Sequence, residues 1–223
     1  MKGKSLVSAI VDSKIYFILF LLMVIGSSYI IINYDKAFFL ELLDKHRTPF
    51  LNKAFIQITK IGEYYTFVFF FFYFLYKKSR VSFSILFLGA VMPLISYFLK
   101  QYFKHPRPLT YFRKTINSFP VEIIDGVSYH SGHNSFPSGH TMAAFSIFTL
   151  LALFSKNKYF QILYFILAFL VGFSRIYLTQ HFLDDVLFGS TMGVLLGILT
   201  YYLFGEILKK KNSLDIAFKK SKP

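Results

Sequence analysis

Residues 130–155 read HSGHNSFPSGHTMAAFSIFTLLALFS. A polar run with three histidines in eleven residues passes without a break into an apolar one. The tripeptide Ser-Gly-His occurs twice, at Ser131–His133 and at Ser138–His140. Only the second copy has Pro137 ahead of it and TMAAFSIFTLLALF behind it. The Ser138–Gly139 turn therefore opens a helix, with Ser138 placed as its N-cap. The composition of the rest of the chain decides which solvent surrounds that helix.

The 223 residues are 55% hydrophobic and 21% aromatic, with 30 Phe and a mean hydropathy of +0.50. A soluble domain cannot hide that much Phe, so lipid is the solvent for much of the surface. The length fits one domain. The chain has no Cys, which excludes disulfides, thiolate metal sites and cysteine nucleophiles. A net charge of +14 raises nucleic acid as a partner, but in a membrane protein it reads as orientation and contact with anionic headgroups. The expected partners are the bilayer and a lipid, with no nucleic acid; the oligomeric state is not legible.

Six apolar stretches stand out beside short polar joints, at about 15–33, 62–76, 81–99, 138–155, 159–178 and 182–208. Most approach the roughly 20 residues that cross a bilayer as a helix. The second is short from Gly62, so an earlier start near Ile56 is expected. The first has no small-residue cleavage site after it and reads as a span rather than a signal peptide. The chain shows no internal repeat.

Lys2, Lys4 and Lys14 precede the first stretch, and Lys77, Lys78 and Arg80 separate the second and third. Lys156 and Lys158 separate the fourth and fifth, and six lysines follow the sixth. These joints hold 14 of the 25 basic residues and only three of the 11 acidic ones. The Lys/Arg bias places them, with both termini, in the cytoplasm. Residues 1–208 then form one all-α domain, an integral membrane six-helix bundle, and 209–223 a basic cytoplasmic tail. Outside lie 34–61, 100–137 and 175–184. The first of these holds AFFLELLDKHRTPFLNKAFIQI, whose mixed pattern suits a single interfacial helix between the first two spans. The second reads as a long polar loop.

Ionisable groups at membrane depth are costly, so their positions carry information. Three clusters sit at the outward ends of apolar stretches: KQYFKHPRP with Lys100 and Arg107, FPSGHT with Ser138 and His140, and SRIYLTQHFLDD with Arg175, His181, Asp184 and Asp185. Each alone has a bland reading. Lys100 and Arg107 could snorkel, Ser138 could only cap a helix, and His181 with Asp185 could be a satisfied buried pair. Together they describe an anion site. Three cations can neutralise a phosphate, Arg through a bidentate fork. The helix opening at Ser138–Gly139 can aim N–H groups at an oxyanion. Two histidines offer a nucleophile and an acid, and a carboxylate three or four residues after His181 can orient it.

These residues resemble the three-part signature of the type 2 phosphatidic acid phosphatase superfamily. Lys100–Pro108 matches K-x6-R-P, Pro137–His140 matches P-S-G-H, and Ser174–Asp185 matches S-R-x5-H-x3-D. The resemblance covers about 60–205. It implies that His181 attacks phosphorus to form a phosphohistidine, that Asp185 orients it, and that His140 serves as acid and then base. It implies phosphate binding by Lys100, Arg107, Ser138, Gly139 and Arg175. The family spacing selects Asp185 over Asp184. His130, His133 and His140 could be imagined around a metal, but His140 is already claimed and the resemblance implies no metal and no cofactor. The first Ser-Gly-His copy is then left to shape the rim of the site.

The implied activity is hydrolysis of a phosphomonoester or diphosphate on a membrane lipid, such as undecaprenyl diphosphate, phosphatidylglycerol phosphate, phosphatidic acid or a lipid A phosphate. Small size and a Lys/Phe/Ile-rich composition point to a bacterial cytoplasmic (inner) membrane, with the site facing the periplasm or outside. A lipid A-specific phosphatase or phosphotransferase is a narrower alternative, and a non-catalytic lipid-phosphate binding or transport protein one of another class. A vanadate-dependent haloperoxidase would share the pocket, but those enzymes are soluble.

Overall fold

The computed structural model describes residues 5–115 and 121–220; Lys2, Lys4 and Lys222, counted above toward orientation, lie outside the described residues. Every regular element among them is helical. In order they are α1 (Leu6–Asp12), α2 (Lys14–Asn33), α3 (Phe38–Asp44), α4 (Pro49–Ile58), a 3-10 turn (Thr59–Gly62), α5 (Tyr64–Tyr76), α6 (Val81–Phe103), α7 (Pro108–Thr115), α8 (Gly139–Phe154), α9 (Lys158–Tyr177) and α10 (Leu183–Lys220). Four segments are long and apolar enough to cross a membrane: α2, the Val81–Thr115 stretch that holds α6 and α7, α9, and the Leu183–Gly205 part of α10. Two shorter apolar helices, α5 and α8, join them.

The helix that follows the quoted turn is the centre of the molecule. Every residue from Thr141 to Leu153 is buried, so α8 has no lipid-facing side. A helix of 16 residues spans only about 24 Å, short for a bilayer. It needs no more, because α6, α9 and α10 wrap it. Its few polar groups are satisfied locally. Ser146 Oγ donates to the Ala143 carbonyl at 2.8 Å, and Thr149 Oγ1 shares a 2.8 Å hydrogen bond with Tyr16 Oη. That bond ties α2 to the core, although only 6% of the α2 span is buried.

Small residues let α10 lie against α8 at backbone distance. A Cβ on Gly189 would meet the Ser138 carbonyl oxygen at 2.7 Å, one on Gly193 the Met142 oxygen at 2.6 Å, and one on Gly197 the Ser146 oxygen at 2.7 Å. The three glycines recur every fourth residue, the spacing that places small residues on one helix face and lets two backbones approach.

Four expectations need correction. The single interfacial helix is two short ones, α3 and α4. Thr48 precedes a proline, which disfavours helical backbone there, and it caps α4 by accepting from the Leu51 N–H at 3.2 Å. The second span starts at Tyr64, not near Ile56. The 3-10 turn intervenes because Gly62 is wedged against the His140 carbonyl and Val171, where a Cβ would come within 2.8 Å and 2.7 Å. The polar loop of 100–137 contains α7, which opens on Pro108. Finally, α10 does not stop at 208 but runs as helix through Lys220.

The backbone contact gives a direct test. Gly193→Ala forces a methyl against the α8 main chain, and such overpacking costs about 1–3 kcal/mol. In detergent its melting temperature is expected to fall by roughly 2–10 °C. Gly26→Ala, on a helix face with nothing within 4 Å, is expected to melt like the wild type.

Candidate active site

The up-and-down course of the helices sets the C-terminal ends of α6 and α9 beside the N-terminal ends of α8 and α10. All three sequence clusters meet there. Lys100, in the last turn of α6, donates from Nζ to the Asn134 carbonyl at 2.7 Å. Arg107 is buried; its Nε donates to Asn134 Oδ1 at 2.9 Å and its Nη1 to the Gln180 carbonyl at 3.3 Å. Arg175, buried in the last turn of α9, donates from Nη1 to Thr59 Oγ1 at 2.7 Å. None of the three has a carboxylate within 4.0 Å among the described residues. Neutral oxygens hold them in place and leave their charge unspent, so the pocket favours a polyanion.

The Ser138 turn sits at the base of this group. Ser138 is fully buried, its hydroxyl bonded to Thr141 Oγ1 at 2.8 Å and its N–H given to the Asp185 carbonyl at 3.0 Å. The Ser138 N–H is thus committed inside the protein, and the free donors of the helix start are those of the first turn from Gly139 onward. Gly139 permits the approach of α6: a Cβ there would lie 3.2 Å from Ser96 Oγ and 3.9 Å from Lys100 Cε. His140 follows in the first turn of α8 and is partly exposed.

His181 and Asp185 are both buried, four residues apart across the start of α10. His181 Nδ1 lies 3.4 Å from Asp185 Oδ2. Asp184 turns away. Its Oδ2 pairs with Lys36 Nζ at 3.0 Å and its Oδ1 accepts the Asp185 N–H at 3.0 Å. The helical spacing allowed either carboxylate, and the structure sets Asp185 nearer the ring.

Several residues here escaped the sequence reading. Ser135 Oγ donates to Asp185 Oδ2 at 2.5 Å and lies 3.3 Å from His181 Nδ1. A serine has one proton and two lone pairs, so it can donate to the carboxylate while accepting from the imidazole N–H. Asn134 holds two of the cations. Both stand in the NS dipeptide between the two Ser-Gly-His copies, where only their position beside the motif could have signalled them. Glu63 Oε1 stands 3.7 Å from His140 Nε2, carried there by the wedge of Gly62.

Arg47, from the link between α3 and α4, braces the turn that delivers His181. It donates to the Tyr177 carbonyl at 2.8 Å and to Thr179 Oγ1 at 2.6 Å, and pairs with Asp44 at 2.5 Å. Thr179 has φ of +53°, a left-handed backbone that a β-branched residue adopts only when its surroundings hold it there.

The first Ser-Gly-His copy lies at the edge. Gly132, at φ +115°, accepts the Arg107 N–H on its carbonyl at 2.9 Å and donates its own N–H to Thr110 Oγ1 at 2.8 Å. His133 is exposed and touches Lys114 Nζ at 3.1 Å. The copy therefore braces Arg107 through its backbone. Metal-ligand spacing also falls elsewhere than on His130, His133 and His140. Among the described residues it occurs in His105, Asp184 and Asp185, whose ligand atoms lie within 4.8 Å of one another.

Burial pushes the His181 imidazole well below its ordinary pKa, and the positive charges of Arg107, Arg175 and Lys100 push it further the same way. Both effects favour the neutral ring, the form with a nitrogen able to act as a nucleophile.

Comparison with known proteins places this geometry. The PAP2 superfamily model matches residues 80–209. Phosphatidylglycerophosphatase B of Bacillus subtilis is 30% identical over 169 residues, which cover 69% of this chain and 75% of that protein. Lipid A 1-phosphatase of Porphyromonas gingivalis is 37% identical over 78 residues, or 34% of this chain, and the chain spans only 18% of that relative's length. The crystal structure of Aquifex aeolicus LpxE superposes with a TM-score of 0.63 at 25% identity, covering 76% of this chain and 97% of that one.

The His181 environment has a measurable signature. In ¹⁵N-histidine NMR of the detergent-solubilised protein, the His181 ring is expected to stay neutral well below pH 6.5, the ordinary histidine value. Arg107→Gln removes a nearby positive charge and is expected to raise its pKa. An unchanged or lower value in that variant would show that the cations do not set the ring's charge. A buried neutral ring also favours the fold above the ordinary histidine pKa, and this contribution is lost as pH falls and the unfolded state takes up the proton.

Proposed function

The chain belongs to the PAP2 superfamily, and from that membership we propose that it is a membrane lipid phosphatase working through a phosphohistidine. The observation that carries the reading is the gathering of three cations, without carboxylate partners among the described residues, around His181, whose Nδ1 is turned onto Asp185. That orientation leaves Nε2 to attack phosphorus. An N–P bond forms, the P–O bond to the lipid breaks, and His140, protonated once the bound phosphate dianion offsets the surrounding cations, gives its proton to the departing oxygen. Water then attacks the phosphohistidine while His140 takes its proton, and inorganic phosphate leaves. Lys100, Arg107, Arg175 and the first-turn donors after Ser138 hold the phosphoryl oxygens as charge moves across them.

The substrate class is a phosphomonoester or diphosphate on a membrane lipid. Relatives named for phosphatidylglycerophosphate and for lipid A support that breadth, and undecaprenyl diphosphate and phosphatidic acid belong to the same chemistry. The apolar helices favour a substrate reached within the bilayer and count against a soluble haloperoxidase. The Lys/Arg bias of the joints supports a bacterial cytoplasmic membrane with both termini inside and the site outward. The charge-neutralising role falls to Lys and Arg, so the proposed chemistry calls on no metal.

Phosphate release from a panel of lipid phosphates tests the reading. His140→Ala is expected to lose about 10²–10⁴-fold in turnover, the worth of a positioned acid, while His133→Ala keeps substantial activity. A ³²P-lipid substrate is expected to label the protein with acid-labile, base-stable phosphate that maps to His181. Label on another residue, or full activity in His181→Ala, would falsify the mechanism. Asp185→Asn is expected to lose rate severely; a comparable change in another triad costs about 10⁴-fold.

A second measurement addresses the cations. Activity is expected to survive EDTA and to be inhibited by vanadate, which mimics phosphate in the pocket. Loss on chelation that Mg²⁺ or Zn²⁺ restores would overturn the cation-only scheme.

A further inference from the structure

The two oxygens of Asp185 are served very unequally. Oδ2 accepts from Ser135 Oγ at 2.5 Å and from the Phe182 N–H at 2.9 Å, and faces His181 Nδ1 at 3.4 Å. Oδ1 is buried with no hydrogen-bond partner among the described residues, in a residue with 0% exposure. A buried carboxylate oxygen without a donor is destabilising by the desolvation it has suffered. The same neighbourhood holds a second orphan: Nδ1 of His105 is also buried without a partner. A ring nitrogen of His105 and a carboxylate oxygen of Asp185 lie within 4.8 Å of each other. That span suits a single bridging water or a small shift of the ring.

The backbone fixes His105 to this place. Its carbonyl accepts the Ser135 N–H at 3.0 Å, so one serine binds His105 through its main chain and Asp185 through its side chain. The ring is boxed by Phe136, 4.8 Å away between centroids, and Phe103, at 6.1 Å. The charged groups around Asp185 are His181 on the near side, His105 and Lys36 beyond, Asp184 next in the chain, and Arg107 and Lys100, which act on it by charge alone while their hydrogen bonds go to Asn134 and Gln180. Asp184 is already engaged by Lys36 and by the Asp185 N–H. His105 is thus the donor left over for the vacant oxygen.

We propose that His105 is a positioning residue that donates to the free oxygen of Asp185, directly or through one water, and so completes a His105–Asp185–His181 series. Its effect on the reaction runs through Asp185 and never touches the substrate. This rests on the phosphohistidine reading given above. With its second oxygen served, the carboxylate stays ionised and locked in rotation, and its other oxygen is kept on His181.

His105→Phe preserves a flat ring in the aromatic box and removes the donor; His105→Asn restores an N–H near the Nδ1 position. The Phe variant is expected to lose about 10–100-fold in kcat with little change in KM, the scale on which outer partners of site residues count. Its acid limb of kcat/KM is expected to move to higher pH, because a carboxylate deprived of a donor takes up its proton more readily and the ionised form is the working one. The Asn variant is expected to recover part of both. In an Asp185→Asn background, His105→Phe is expected to add little.

A fall in melting temperature with an unmoved pH profile would reduce His105 to a packing residue and overturn the inference. Zn²⁺ inhibition of the wild type that His105→Asn abolishes would also overturn it, by making the trio a metal site. If Asp185→Asn is inactive and His105→Phe is fully active, this inference fails while the lipid phosphatase reading stands. Full activity in Asp185→Asn strikes the mechanism itself.

Discussion

Three cations without carboxylate partners among the described residues, gathered at the edge of an apolar interior, set the terms for the rest of the molecule. A charge in such a place must be hydrogen-bonded or neutralised. Carboxylates would have neutralised these three and spent the site. Instead Lys100 rests on the Asn134 carbonyl, Arg107 on the Asn134 side chain and the Gln180 carbonyl, and Arg175 on Thr59. Each acceptor fixes a geometry while leaving net charge for an incoming anion. The buried carboxylate of Asp185 accepts from Ser135 and faces His181, and pairs with none of the three. The acceptors come from three separate parts of the chain, so the pocket exists only once the helices have packed.

Packing in turn depends on α8, the helix that the quoted turn opens. It is sheathed by α6, α9 and α10, and the glycines at 189, 193 and 197 allow main chain to touch main chain. Ser138 is held from both directions, by Gly189 closing on its carbonyl and by its own N–H on the Asp185 carbonyl. The second and third sequence motifs are therefore joined through backbone atoms. Side-chain substitution elsewhere leaves that bond alone.

What could be read from the sequence was what periodicity and fixed spacing encode. Apolar length predicted the main helices, and the three clusters at their ends predicted a shared pocket, because antiparallel spans bring alternate ends together. What escaped was set by tertiary contact. Arg47 sits in an amphipathic stretch and looks like any exposed arginine until it is seen bracing Thr179 in a left-handed turn. Ser135 is one of many serines, and only the fold shows its proton on Asp185. The 3-10 turn ahead of α5 follows from Gly62 pressed against His140, a contact across 78 positions that no local pattern records. The break between α3 and α4 is different: the Thr48–Pro49 cap was legible, and the amphipathic period across it masked the signal.

The complete burial of α8 has a consequence for how the protein meets membranes of different thickness. Hydrophobic mismatch acts on helices that touch lipid, which answer by tilting or by deforming the bilayer around them. Here that burden falls on helices such as α2, of whose span only 6% is buried within the protein. The helix that carries the Ser138 turn and His140 has no lipid contact through which to be pulled. The Ser138 turn and His140 are thus placed by the packing of α8 against α6, α9 and α10, a reference internal to the protein rather than one taken from its surroundings.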